Sequence, residues 1–327
     1  TSFGENHPDV AKCYDNIGNV YCNLEDFGKA LEFCQKALMI RQSLLRQNHP
    51  DIATSYNSIG GVYNDSGNFY KSSEFYQKAL LIRNQIYGEK HSSVVEIYNN
   101  IGNVYYKMEE YEKSLDFYKK SLVILQQLYR NDHSEVLLCY DYIGLVYDGM
   151  KNYEKALEYF HKSLAVREQN LKKEDPQIAK SCNVIANSYA NSGNYEKALE
   201  YFQKALVIWK QNYGEKSQYT AIGYNNLGNI YADQKNYNKA LEYFQKALAI
   251  WEQVLGRRHS NVAIAYNNIG NIYLDQGNYE KAQAYILHAL DIAKTVSGKD
   301  ALTTQHIIKK SEKLKRLLKE SKGERNE

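Results

Sequence analysis

Carboxamides are the side chains that recur most insistently at fixed spacing in this 327-residue chain. Asn16, Asn100, Asn226 and Asn268 share one phase of a 42-residue period, whose other places hold Ser58, Tyr142 and Val184. Asn19, Asn103, Asn187, Asn229 and Asn271 share a second phase three residues later. An amide offers donors and an acceptor at once, so a row of amides can hold a peptide backbone whatever its side chains. Asn is a mediocre helix former, so its repeated use calls for a reason. The plainer reason is that duplication has copied solvated polar residues. In mid-chain the amides give way to Leu138, Tyr142 and Leu145, with Gly149 opening space, and then to Val184. An apolar patch flanked by amides has the make-up of an interface core with a polar rim, suited to an aromatic or aliphatic anchor. Contact between Tyr142 and neighbouring helices is the competing account. Asp15, Asp65, Glu96, Asp141, Asp148, Asp233 and Asp275 lie on or beside these phases against Lys12, Lys107 and Lys180. A neutral or basic peptide is therefore the expected partner.

Other chemistry is poorly supported. His7, His49, His91, His133 and His259 also keep the period. Neighbouring copies should lie on the order of 10 Å apart, as packed helices do. Zinc needs its ligands about 2 Å from one ion, so turn residues are expected and no metal. The five cysteines form no CxxC pair, which points to a reducing, cytoplasmic setting. There is no P-loop, nucleophile elbow or dinucleotide fingerprint, and no acid is set apart in apolar surroundings. Neither a catalytic site nor a cofactor is expected. The 31 tyrosines could be read as base-stacking platforms, but most keep packing phases. Net charge is +3, and residues 301–327 carry eight Lys/Arg against four Asp/Glu, leaving about −1 for the rest. A body so near neutral does not suit a phosphate backbone, so no nucleic-acid partner is expected. Lys309–Lys322 reads as a solvated helix face. No apolar run approaches ~20 residues, so no membrane partner is expected.

The elements that carry these residues follow from the period. One frame restarts at His7, His49, His91, His133, Asp175, Ser217 and His259 without insertion or deletion. Seven units result: 7–48, 49–90, 91–132, 133–174, 175–216, 217–258 and 259–300. Residues 1–6 form a leader, and the chain's first residue, Thr1, suggests an excerpt of a longer protein. Each unit reads as two helices. Pro8 and Pro50 suit a first helical position, and Asp9 and Asp51 the positive end of the dipole. In the sixth unit Tyr224, Leu227, Gly228 and Tyr231 share one face of the first helix, and Ala240, Phe244 and Ala247 one face of the second. A lone pair cannot bury these faces, so units must stack. Residues 301–327 leave the pattern. Ile307, Ser311, Leu314 and Leu318 form a stripe among charges, as a capping helix with a basic tail would.

The order aromatic, Leu/Ile-Gly, Tyr, Ala, Phe/Tyr, Ala, as in Tyr224, Leu227-Gly228, Tyr231, Ala240, Phe244 and Ala247, resembles the tetratricopeptide repeat (TPR). The 42-residue length and openings such as HPDVAK are similar to kinesin light chains. The resemblance implies an all-α, right-handed α-solenoid superhelix of seven TPR helix pairs plus a C-terminal capping helix. It implies that the first helices line a concave groove, with the Asn phases, Leu138, Tyr142, Leu145 and Val184 facing a bound peptide. Cys182 for the first aromatic, Ala186 for Gly, Ser121 and Ser163 for the last small residue and Ile286 for the second-helix aromatic are departures that stay small or apolar. The basic cluster needed to grip a carboxylate tail is missing, and acidic cargo is disfavoured for the same reason. The expected function is a protein-interaction scaffold or adaptor that binds an extended or helical peptide of a partner protein in its concave groove. The rival is a regulatory or docking arm of a larger enzyme or effector. Open solenoid ends could also stack between copies.

Overall fold

The computed structural model describes residues 6–298 and 301–321, all of whose regular elements are α-helices. Residues 1–5 of the expected leader and 322–327 of the basic tail lie outside the described residues. Two compact units divide the chain at Val166. The first contains α1 (Pro8–Asn23), α2 (Phe27–Leu44), α3 (Pro50–Asp65), α4 (Phe69–Tyr87), α5 (Ser92–Lys107), α6 (Tyr111–Leu128) and α7 (Ser134–Gly149). Helix α8 (Tyr153–Asn170) runs through the division. The second contains α9 (Pro176–Asn191), α10 (Tyr195–Tyr213), α11 (Gln218–Asp233), α12 (Tyr237–Leu255), α13 (Ser260–Asp275), α14 (Tyr279–Ser297) and α15 (Leu302–Ser321). Within each unit a helix packs on the one before it, so the fold is a stack of helix pairs.

The periodic histidines are the caps of the first helices. Nδ1 of His7, His49, His91, His133 and His259 accepts from the backbone N–H two residues on, at 3.0–3.4 Å. Asp175 and Ser217 cap α9 and α11. Second helices are capped by Asp26, Asn68, Asn152, Asn194, Asn236 and Asn278, each accepting from the N–H of a lysine three residues on. Each cap satisfies an N–H that the helix leaves orphaned.

The turn inside each pair needs one left-handed residue. Gly67, Gly193 and Gly277 supply it at φ +71° to +81°, whereas Glu25, Glu109, Lys151 and Lys235 adopt φ of +59° or +60°. An L side chain in that region costs roughly 1–2 kcal/mol, and glycine returns part of it as unfolded-state entropy. Lys235→Gly is therefore expected to stabilise the chain by about 0.5–1 kcal/mol, read as a higher thermal midpoint. An unchanged or lowered midpoint would contradict this account of the turn.

The core alternates glycine and ring. A Cβ at Gly228 would stand 2.6 Å from the ring of Phe244, so only glycine lets α11 lie this close to α12. Gly60 and Gly102 meet Tyr76 and Tyr118 in the same way. The abundant tyrosines are packing residues. Tyr231 stacks on Tyr243 with centroids 5.5 Å apart, and Lys239 covers its ring at 4.9 Å. The same pairing joins Tyr21 to Phe33, Tyr63 to Phe75, Tyr105 to Phe117 and Tyr273 to Tyr285. Such contacts add about 0.5–1.5 kcal/mol each beyond burial.

Helix α15 begins 42 residues after α13 begins, so it keeps the period although its sequence does not. Its buried stripe is Thr304, Ile307, Ser311, Leu314 and Leu318, and Leu314 stands one period beyond the buried Ile272. Lys310 holds the place of Asn268.

Candidate peptide-binding surface

The asparagine phases meet one another. Asn100 on α5 donates its Nδ2–H to Oδ1 of Asn57 on α3 at 3.0 Å. In the second unit Asn226 donates to Asn183 at 2.8 Å, and Asn268 to Asn225 at 3.0 Å. Lys310 continues the row, donating to Asn267 at 3.1 Å and Asn271 at 2.7 Å. In these three Asn–Asn bonds the donor lies 43 residues after its acceptor, one period plus one residue, and Asn268 also reaches Asn229 at 3.5 Å. These amides therefore clamp neighbouring repeats to each other. Each keeps only part of its hydrogen-bonding capacity for anything else. The burial of Lys310 without a carboxylate at contact lowers its pKa.

In the first unit the row opens into a pocket of about 260 Å³. Helices α3, α5 and α7 contribute Asn64, Asn99, Asn100, Asn103, Lys107 and Tyr142, and the second helices α4 and α6 contribute Tyr76 and Tyr118. Tyr118 stacks on Tyr142 with centroids 5.1 Å apart, and Asn103 hydrogen-bonds its phenol. Nζ of Lys107 donates to Oδ1 of Asn64 at 3.2 Å. Tyr142 is thus half-buried and engaged with a neighbouring helix as well as facing the pocket. Leu138 and Leu145, on the same helix, are exposed. Gly149 does not open space at this surface, because a Cβ there would press on the Tyr111 ring at 2.7 Å.

The remaining predicted residues are dispersed. Asn16 and Asn19 are exposed on α1, and Asn229 on α11; Asn271 on α13 is half-buried under Lys310. Val184 is half-buried and Asn187 exposed on α9, within the second unit, whereas Leu138, Tyr142 and Leu145 belong to the first. The acidity expected of the surface is reduced. Asp15 pairs with the buried Arg41 at 2.6 Å, and Glu96 accepts from Asn57 at 3.1 Å.

Tyr76 and Tyr118 were missed because they occupy core positions. The signal was the hydroxyl: the same place holds Phe160, Phe202 and Phe244 in later repeats, and a phenol there needs a polar outlet. Burial pushes Tyr76 up to about 12, and it raises Tyr118 further, helped by the neighbouring Tyr142. A phenol held neutral by the fold stabilises it fully below pH ~10, the unfolded value, and progressively less above it. Stability is expected to fall between pH 10 and 12, and Tyr76→Phe with Tyr118→Phe to flatten that fall. Identical alkaline unfolding curves for parent and double variant would refute the assignment.

A sequence profile of the tetratricopeptide repeat matches residues 51–125, 93–169, 177–232 and 219–295, and a second tetratricopeptide profile matches 10–51. No curated protein matches the chain. Among solved structures, the apo form of RapI superposes with a TM-score of 0.64 at 18% identity, over 88% of this chain and 99% of that one. BtubC (BKLC) from P. vanneervenii gives 0.55 at 23%, over 71% and 91%. A Podosopora anserina protein described as a kinesin light chain with nearly identical TPR-like repeats gives 0.57 at 17%, over 63% and 98%.

Proposed function

The chain belongs to the tetratricopeptide repeat family, and from that premise we propose that it is a protein-interaction scaffold holding an extended segment of a partner against its first helices. One observation carries this reading: a pocket lined by asparagine amides and three phenols lies beside exposed leucines on α7. Amides and phenols can serve a partner's main chain, while Leu138 and Leu145 can serve an apolar side chain. Nothing in the packing of the repeats calls for exposed leucines there, since the core of each pair is already closed by glycine and ring.

Asp141 and Asp148 flank Leu145 on α7, which favours a neutral or basic segment over an acidic one. In the second unit, a partner's main chain would use what Asn226, Asn229, Asn268 and Asn271 keep beyond the bonds that join the repeats. The five unpaired cysteines suit a reducing cytoplasm. No catalytic role is assigned to any side chain.

The test is direct binding. A tiled library of extended peptides from the native proteome is screened against the purified chain, and binders are photo-crosslinked. Micromolar binders that crosslink to α5 and α7 are expected. A library without binders, or crosslinks confined to second helices, would overturn the reading.

A further inference from the structure

One core place changes size in the last repeat. Counted by the period it holds Arg41, Arg83, Leu125, Arg167, Trp209 and Trp251, and then Ala293. The two indoles are closed from solvent, and Trp251 on α12 shares a buried cluster with Ala221 of α11 and Ala265 of α13. One period on, the counterparts Ala263 of α13 and Ile307 of α15 stand beside Ala293, which brings no ring. A cavity of about 280 Å³ is left there, with Ile264, Asn267 and Lys310 also in its wall. A second ring is missing as well. Trp209 packs on Tyr219 with centroids 6.1 Å apart, and the residue two periods after Tyr219 is Thr303, which lines the cavity. Ile264 is 47% exposed, whereas Ile222, one period earlier, is half-buried.

We propose that this cavity binds a small aromatic carboxylate, its two-ring aryl group lying where earlier repeats place an indole and its carboxylate on Lys310. The site shares no residue with the pocket of α3, α5 and α7. Size permits it: an apolar cavity of about 150 Å³ holds benzene, so this one has room for a second ring and a short acid arm. The walls divide accordingly. Ala263, Ile264, Ala293 and Ile307 suit ring faces, and Asn267 and Lys310 suit a polar end. Among the described residues the Lys310 ammonium bonds only the amide oxygens of Asn267 and Asn271, and Asp275 acts on it from beyond contact. An ammonium has three donors, so one N–H is left for an anion. Burying that charge without a contacting carboxylate is costly, and a bound carboxylate offsets the cost. The chain's own tail does not supply the ring: residues 322–327 read Lys-Gly-Glu-Arg-Asn-Glu.

Isothermal titration of the full chain with indole-3-propionate, indole and tryptamine tests it, since the three share a ring and differ in charge. The propionate is expected to bind with a Kd on the order of 0.1 mM, indole roughly tenfold more weakly, and tryptamine not measurably. Ala293→Trp restores the side chain of the two preceding repeats, and is expected to abolish binding and raise the thermal midpoint. Ala293→Leu, for which Leu125 is the precedent, is expected to weaken binding by about fivefold or more, and it decides the matter where the larger side chain disturbs α15. Lys310→Gln keeps an N–H for the amide row. It is expected to bring the propionate down to the affinity of indole and to leave indole unchanged. No heat from the propionate up to about 2 mM, tryptamine binding as well as the propionate, or an Ala293→Leu variant with the parent's affinity would each overturn the proposal.

Discussion

Phe244→Ala is expected to cost about 3–5 kcal/mol of stability, the range for truncating a large ring in a closed core. The ring is 1% exposed and lies directly on Gly228, where no side chain exists to follow it into the space it leaves. Ala240, Ile269 and Ile272 line the same cluster, so the hole would open between successive helix pairs as well as within one. Repeats couple chiefly to their nearest neighbours, so the loss should be local. Amide exchange is expected to accelerate throughout α11, α12 and α13 and much less in α3 to α5. A variant whose exchange quickened equally in both units would show that the chain unfolds as one cooperative block.

Leu145→Asp is expected to weaken peptide capture by about 30-fold or more, the equivalent of roughly 2 kcal/mol for a buried anchor. Stability should change by much less than a core truncation would cost, because Leu145 is 37% exposed on α7 and lies outside the buried core. Tyr142→Asp is a poorer probe. Its ring packs on Tyr118, so a carboxylate there would disturb the fold and the surface together. Asn103→Ala separates the two contributions the reading invokes. It removes the amide that holds the Tyr118 phenol, and is expected to weaken all bound peptides similarly, whereas Leu145→Asp discriminates by the anchor side chain. Titrations by fluorescence polarisation would show both. Undiminished affinity of Leu145→Asp would move the binding surface elsewhere.

The helix pairs were legible because packing imposes its period on the sequence. Gly228 and Phe244 must coincide in space, and that coincidence repeats wherever the pair repeats. The surface was legible only in part. Asn100 and Asn226 are visible as a phase, but their bonds to Asn57 and Asn183 join two phases one residue out of step. Only knowing which helix faces meet reveals such a match. Tyr76 and Tyr118 were concealed by their core positions, and Asp15 by its buried partner Arg41, fourteen places before Ser55, which that arginine also reaches. Gly149 misled because a missing side chain reads as open space when a neighbour's ring fills it. Helix α15 lost its visible frame where Glu312 took the glycine's place and Lys310 the asparagine's, yet geometry kept the step of 42.

The amide row also bears on how such a gene can change length. Removing residues 217–258 would bring Asn268 to Asn183 with the same offset that Asn226 now has, and no donor would lose its acceptor. Recombination between unequal copies that carry this pair can therefore shorten or lengthen the protein by a whole block, the new junction inheriting a bond already present at its neighbours.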